Sequence, residues 1–180
     1  HQDFESHISE MLALMGRGVG ADRSYIFEVT RSAEDVPIWR QRYEWAAPGI
    51  TPQIDTPELQ HIPYLELAPQ WSEMMDAGRP ITGHTHQFEE AEKLLLEPQG
   101  IQSIALVPIH ISGRWWGFIG FDMCRAEREW DLAEIEALQI AADLLGAAFE
   151  RRNVQRALEE SEARFRLIAE NSSYLICLHS

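Results

Sequence analysis

Residues 101–111 and 115–121 read as two strands joined by Ser112-Gly113-Arg114, and their apolar side chains fall on both faces. Ala105, Val107, Ile109 and Ile111 share one side, while Ile104 and Leu106 share the other, because alternate residues of a strand point opposite ways. A sheet that is apolar on both sides must be covered on both sides. This hairpin therefore belongs in the middle of a layered structure, with helices above and below it. Pro108 brings no N–H to the ladder, which predicts a bulge or an unpaired position there. Gly117 and Gly120 lack a Cβ and predict close packing against an aromatic neighbour such as Trp115 or Trp116.

The remaining elements are weaker but ordered. Phe4, Ile8, Met11, Leu12 and Met15 line one face of an opening helix that ends near residues 16–20. Residues 24–29 and 38–45 are rich in β-branched and aromatic side chains and read as a strand pair. Five of the nine prolines lie between Pro48 and Pro69, marking an irregular crossing. Pro69 suits a first helical turn, Trp71, Met74 and Met75 share its face, and Gly78 stops it. A short extended segment at residues 79–86 precedes a helical face at Ala91, Leu94 and Leu95, which Pro98 and Gly100 end.

With 45% apolar and 24% charged content, 180 residues make one domain plus an appendage. The net charge of -14 repels phosphate backbones and anionic lipid, so neither nucleic acid nor a membrane is an expected partner. No apolar run approaches the ~20 residues that cross a bilayer. Cys124 and Cys177 form neither a disulfide framework nor a zinc set, which agrees with a reducing, cytoplasmic setting. Starting at His1 and stopping within an apolar run, the chain reads as a piece of a longer signalling protein.

The order of helix, two strands, crossing, two short helices, hairpin 100–121 and long exit helix resembles a GAF domain over roughly residues 4–150. Residues 21–27 are similar to that family's opening strand, and Arg128 with Trp130 to the lead into its last helix. The resemblance implies an α+β, three-layer α/β/α fold with a central antiparallel sheet and a long C-terminal exit helix. The run Ser161-Glu162-Ala163-Arg164-Phe165-Arg166-Leu167-Ile168-Ala169-Glu170-Asn171-Ser172 resembles the entry of a PAS domain, whose first strand would be residues 174–178. The expected organisation is a GAF domain at 1–150, a signalling helix at 151–170 and the start of a PAS domain at 171–180. Such pairs imply a bacterial-type sensor ending in a histidine kinase or a diguanylate cyclase.

Family members bind cyclic nucleotides, haem, bilins, small metabolites or nothing. The cyclic-nucleotide signature needs an asparagine within the domain, and the first here is Asn153. A bilin-attaching cysteine is usually followed by histidine, whereas Arg125 follows Cys124. The family's methionine sulfoxide reductase needs several cysteines, so no enzyme is expected, and the cofactor, if there is one, is unassigned. His84 and His86 fall on the same side of an extended segment, a spacing able to hold a metal or face a haem, but His61, Glu89 and Glu90 are only hypothetical further ligands and no metal site is assigned. The helix bearing Trp71, Met74 and Met75 roofs the cavity in the family, so those residues with His84, His86 and Phe88 are the candidate small-molecule pocket.

Asp131 and Glu134 form a capping box that fixes the start of the exit helix. From there Ile135, Leu138, Ala142, Leu145 and Phe149 repeat at three and four residues, and Leu158, Ser161, Phe165 and Ile168 do so further on. These predict a seam for a second copy, with a register shift between the runs where Val154 is out of phase. The expected function is a sensor that relays its state through a dimeric helix, with a ligand-free relay as the alternative.

Overall fold

The computed structural model describes the backbone of residues 2–177 and the side chains of residues 3–170. Five strands form one antiparallel sheet: β1 (Arg23–Arg31), β2 (Pro37–Ala46), β3 (Ile81–His84), β4 (Ser103–Ile111) and β5 (Arg114–Met123), in the order β2-β1-β5-β4-β3. The β4–β5 hairpin thus sits inside the sheet, as its two-sided apolar pattern requires. Ser112 and Gly113 both adopt positive φ, 51° and 73°, matching the two-residue turn whose twist suits a hairpin.

The alternation of β4 sorts its side chains as expected. Ala105, Val107 and Ile109 join Ile26, Ile119 and Phe121 beneath α1 (Gln2–Gly18) and α5 (Leu132–Cys177). Ile104 and Leu106 join Tyr25, Phe27 and Phe118 beneath the crossing, α2 (Tyr64–Leu67), α3 (Pro69–Asp76) and α4 (Glu90–Leu96). Three layers result. Each fully buried Leu or Ile supplies about 1.5–3 kcal/mol by leaving water.

Several local expectations shift. The irregularity in β4 falls between Ile109 and His110, while Pro108 keeps its partner Phe118. Pro108 lies past Leu106, the last β4 residue paired with β3, so one flank of β4 has no strand there to receive an N–H. Gly120 is required by the Tyr25 ring, which a Cβ would meet at 2.1 Å, and Gly117 by the Phe27 carbonyl, also at 2.1 Å. Neither is set by Trp115 or Trp116, because the cross-strand neighbours on β1 come closer than residues of the same strand.

The capping box forms: the Glu134 N–H donates to Asp131 Oδ1 at 2.8 Å and the Asp131 N–H to Glu134 Oε2 at 3.1 Å. The 46-residue helix that follows is about 70 Å long at ~1.5 Å per residue. It is helical through Cys177, where a strand was expected over residues 174–177, and residue 178 lies outside the described residues. A lone strand there has no ladder to join among the described residues, whereas a helix satisfies its own backbone groups. Leu138, Ala142, Leu145 and Phe149, expected to face a second copy, are instead 0–7% exposed, and Ile135 packs beside them. They cover the domain's own sheet, so they cannot also form a seam between copies.

Candidate functional site

Alternate residues of three strands project toward α3 and α4 and bring an aromatic cluster together. Phe27 of β1 stacks on Phe118 of β5 at 5.2 Å, and Trp39 of β2 meets Phe118 edge-on at 5.0 Å. Tyr64 of α2 stacks on Trp39 at 5.0 Å. What remains is a chamber of about 30 Å³, walled by Phe27, Trp39 and Phe118 with Tyr25, Trp71 and Leu106. That is room for a single water. The Trp39 indole N–H is buried and has no hydrogen-bond partner among the described residues. It is a ready donor to a water or to a ligand acceptor.

Leu59, Ile62, Leu95 and Gln99 separate the chamber from an outer cleft of about 580 Å³ between the crossing and α4, and they line both. The cleft adds Leu67, Leu94, Pro63 and Pro98, with Glu58 and His61 at its wall. Small movements of those four side chains would join the two spaces.

A polar staple fixes this roof to the sheet. Arg23 is 1% exposed; its Nε–H donates to Asp122 at 3.1 Å, and its two terminal nitrogens donate to the carbonyls of Thr51 at 3.2 Å and Gln99 at 2.8 Å. The Tyr25 hydroxyl donates to the other Asp122 oxygen at 2.7 Å. One guanidinium therefore ties β1 to the crossing and to the turn after α4. Burial pushes the Asp122 carboxyl up to about 6, against the pull of Arg23 and the Tyr25 hydrogen bond. Burial likewise pushes the Cys124 thiol up to about 11, with Arg23 opposing and Asp122 and Asp22 adding to it. A thiol held protonated is a poor nucleophile.

Of the six residues expected in the pocket, Trp71 alone lines the chamber. Met75 is buried in the core above it and Met74 packs at its edge, so both support the roof from outside the void. Phe88 meets Trp71 edge-on at 5.1 Å and reaches the chamber only through that ring. His84 and His86 stack on each other at 5.6 Å and turn to carboxylates of the segment before α5: His84 to Glu129 and His86 to Glu127, each at 3.1 Å. No cluster of three or more His, Cys, Asp or Glu suited to a metal occurs among the described residues. Both ring nitrogens of His84 are engaged, by Ser103 and Glu129, and His86 Nε2 lies against Glu127. Tyr25, Phe27, Trp39, Phe118, Arg23 and Asp122 went unassigned in the sequence. A charged residue at the end of each of two apolar strands was the available signal.

The outward face of α5 carries a second apolar row. Ile140, Leu144, Ala147, Arg151, Val154, Leu158, Ser161, Phe165 and Ile168 follow one another at alternating steps of four and three, and all are exposed. Val154 is in phase here, so no register shift is needed. The residues on the sheet, Leu138, Ala142, Leu145 and Phe149, occupy the opposite side of the same cylinder. From Asn153 to Glu170 every residue is exposed.

The GAF domain family model matches residues 3–149. A curated relative, the methanogenesis regulatory histidine kinase FilI of Methanothrix harundinacea, is 42% identical over 156 residues, 87% of this chain and 18% of that protein. The chain therefore spans under a fifth of that relative. Among solved structures, the blue-light-absorbing form of the PixJ GAF domain of Thermosynechococcus elongatus superposes with a TM-score of 0.73 at 18% identity, covering 89% of this chain and 92% of that one. The photoproduct state of GAF3 from Slr1393 of Synechocystis sp. PCC6803 gives 0.68 at 18% identity, covering 87% and 98%. At that identity the likeness is one of fold. No helix among the described residues is long and apolar enough to cross a membrane. The fold, the layer order and the family match agree: this chain belongs to the GAF domain family.

Proposed function

We propose that the chain is the cytoplasmic sensory domain of a regulatory histidine kinase and that it passes its state onward through α5, paired with α5 of a second copy. The observation that carries this reading is the exposed seam from Ile140 to Ile168, unbroken in register and opposite the face that grips the sheet. Apolar residues repeating every 3.5 positions are stabilised by a partner helix, and a lone rod has none. Arg151 falls at a central core position of the seam, where a polar residue selects register at some cost in stability. Identity of 42% to a regulatory histidine kinase supports the kinase setting. A PAS domain following α5 stays part of this proposal, supported by the sequence at residues 161–172.

Light scattering on the purified protein tests it. The expected mass is that of two chains, falling to one in Leu158→Glu/Phe165→Glu, with the melting of the domain unchanged because neither residue touches the core. A monomer at high concentration contradicts it.

The second part of the reading is a small apolar ligand bearing a hydrogen-bond acceptor, taken up where cleft and chamber join. The unpaired Trp39 N–H favours it, since a buried donor left unsatisfied costs about 1–3 kcal/mol. Native mass spectrometry of freshly purified protein checks for a retained molecule. A chain that carries none, and that no metabolite in a thermal-shift panel stabilises, acts as a ligand-free relay.

A further inference from the structure

The segment from Gly83 to Phe88 touches the chamber roof at one end and the start of the output helix at the other. Phe88 packs edge-on against Trp71, a wall of the chamber, and a Cβ on Gly83 would meet the Phe88 ring at 2.8 Å, so ring and strand are seated on each other. The turn between them is closed and anchored by hydrogen bonds. Gln87 Oε1 accepts the His84 N–H at 3.0 Å, and the Thr85 hydroxyl and N–H donate to the Ile101 and Gln102 carbonyls at 2.6 and 2.8 Å. On the far side, His84 Nε2 lies 3.1 Å from Glu129 and His86 Nε2 3.1 Å from Glu127. Ser103 joins the same junction, its Oγ 2.7 Å from His84 Nδ1 and accepting the Arg128 N–H at 3.0 Å.

Residues 124–131 lead directly into α5. Arg128, between the two glutamates, turns its guanidinium the other way, to the Val19 carbonyl and to Glu134 in the first turn of the helix. Glu134 is also half of the capping box with Asp131. The path runs from Trp71 to Phe88, through the strand at Gly83 to the two histidines, across to Glu129 and Glu127, and along the chain through Arg128 and Asp131 to the helix start.

We propose that His84 and His86 form a clasp that couples the chamber roof to the launch of α5, so that displacement of Phe88 is felt as loosening of residues 124–134. Two partly exposed imidazole–carboxylate contacts are individually weak, which suits an equilibrium that can be shifted. Coupling of this kind travels through packed side chains with two arrangements, and the physical warrant is a measured interaction between sites.

Hydrogen exchange read by mass spectrometry supplies that measurement as a double-mutant cycle. Phe88→Ala is expected to speed exchange in peptides covering 124–134 by about threefold or more in the native background. In His84→Gln/His86→Gln those peptides already exchange faster, and adding Phe88→Ala changes them no further. An equal acceleration in both backgrounds, or none in the native one, overturns the clasp. Phe88→Leu serves in the same cycle if the alanine variant is poorly folded, and peptides of α1 report whether the domain is intact. The inference rests on α5 being the output element. Its readout is independent of pairing, so a monomeric protein with coupled exchange would sink the dimeric relay and leave the clasp standing.

Discussion

Arg23 and Asp122 illustrate how a few buried atoms hold a roof in place. Asp122 is fully buried, and its carboxyl titrates near 6, above the 3.8 of an exposed aspartate. The folded protein therefore binds this proton more tightly than the unfolded chain does. Stability from this group is fully present below about 3.8 and is lost as pH rises through about 6, a swing of up to about 3 kcal/mol. Asp122→Ala removes the acceptor of both the Arg23 Nε–H and the Tyr25 hydroxyl and leaves them buried without a partner, and is expected to cost about 3 kcal/mol at neutral pH. Melting temperatures measured between pH 7.5 and 4.5 should show the native protein gaining on the variant as pH falls; a gap that narrows on acidification contradicts this. Cys124 gives a second prediction at this scale. With its thiol near 11, alkylation by iodoacetamide at pH 8 in a Cys177→Ser background should be about a hundredfold slower than that of a free thiol. Rapid labelling would show the burial to be wrong. The pairing of Arg23 with Asp122 was not legible from the sequence. Arg23 and Asp122 stand 99 positions apart and meet only once β1 and β5 pair in register.

At the scale of elements, the strands and the start of α5 were legible because their signals are local: alternation in β4 and β5, and a capping box four residues long. The aromatic chamber was not, since Tyr25, Phe27, Trp39 and Phe118 come from three strands whose register no single segment encodes. The face of α5 was misassigned for a different reason. A helix docked on a sheet and also exposed along its far side carries two rows at three-and-four spacing, and the richer row, Leu138 to Phe149, belongs to the core. The seam, interrupted by Ala147, Arg151 and Ser161, is the fainter pattern. Docking itself is tight at Gly146, where a Cβ would lie 2.4 Å from the His110 carbonyl. Alanine in an open helix would gain up to about 1 kcal/mol over glycine. Here the clash with β4 backbone outweighs that gain, and Gly146→Ala is expected to destabilise by about 2 kcal/mol in chemical denaturation. A stabilised variant would mean that α5 sits farther from the sheet.

On the whole-molecule scale, the domain has two faces with separate tasks. One covers an aromatic chamber through a roof stapled by Arg23; the other receives α1 and α5. The sheet lies between them, and the residues before α5 connect the two. In the proposed relay the roof shifts, the helix start responds and the rod carries the change onward. The claim on which this depends is that α5 pairs with its counterpart along the exposed seam, side by side and in register. A cysteine cross-linking scan tests it most directly, in a Cys124→Ser/Cys177→Ser background with single cysteines placed along α5. Parallel pairing predicts rapid disulfide formation between two copies at Leu158→Cys and Phe165→Cys, and little at Arg156→Cys or Ala163→Cys on the opposite side. Uniformly slow linkage at all four positions, or linkage favouring the second pair, would contradict it.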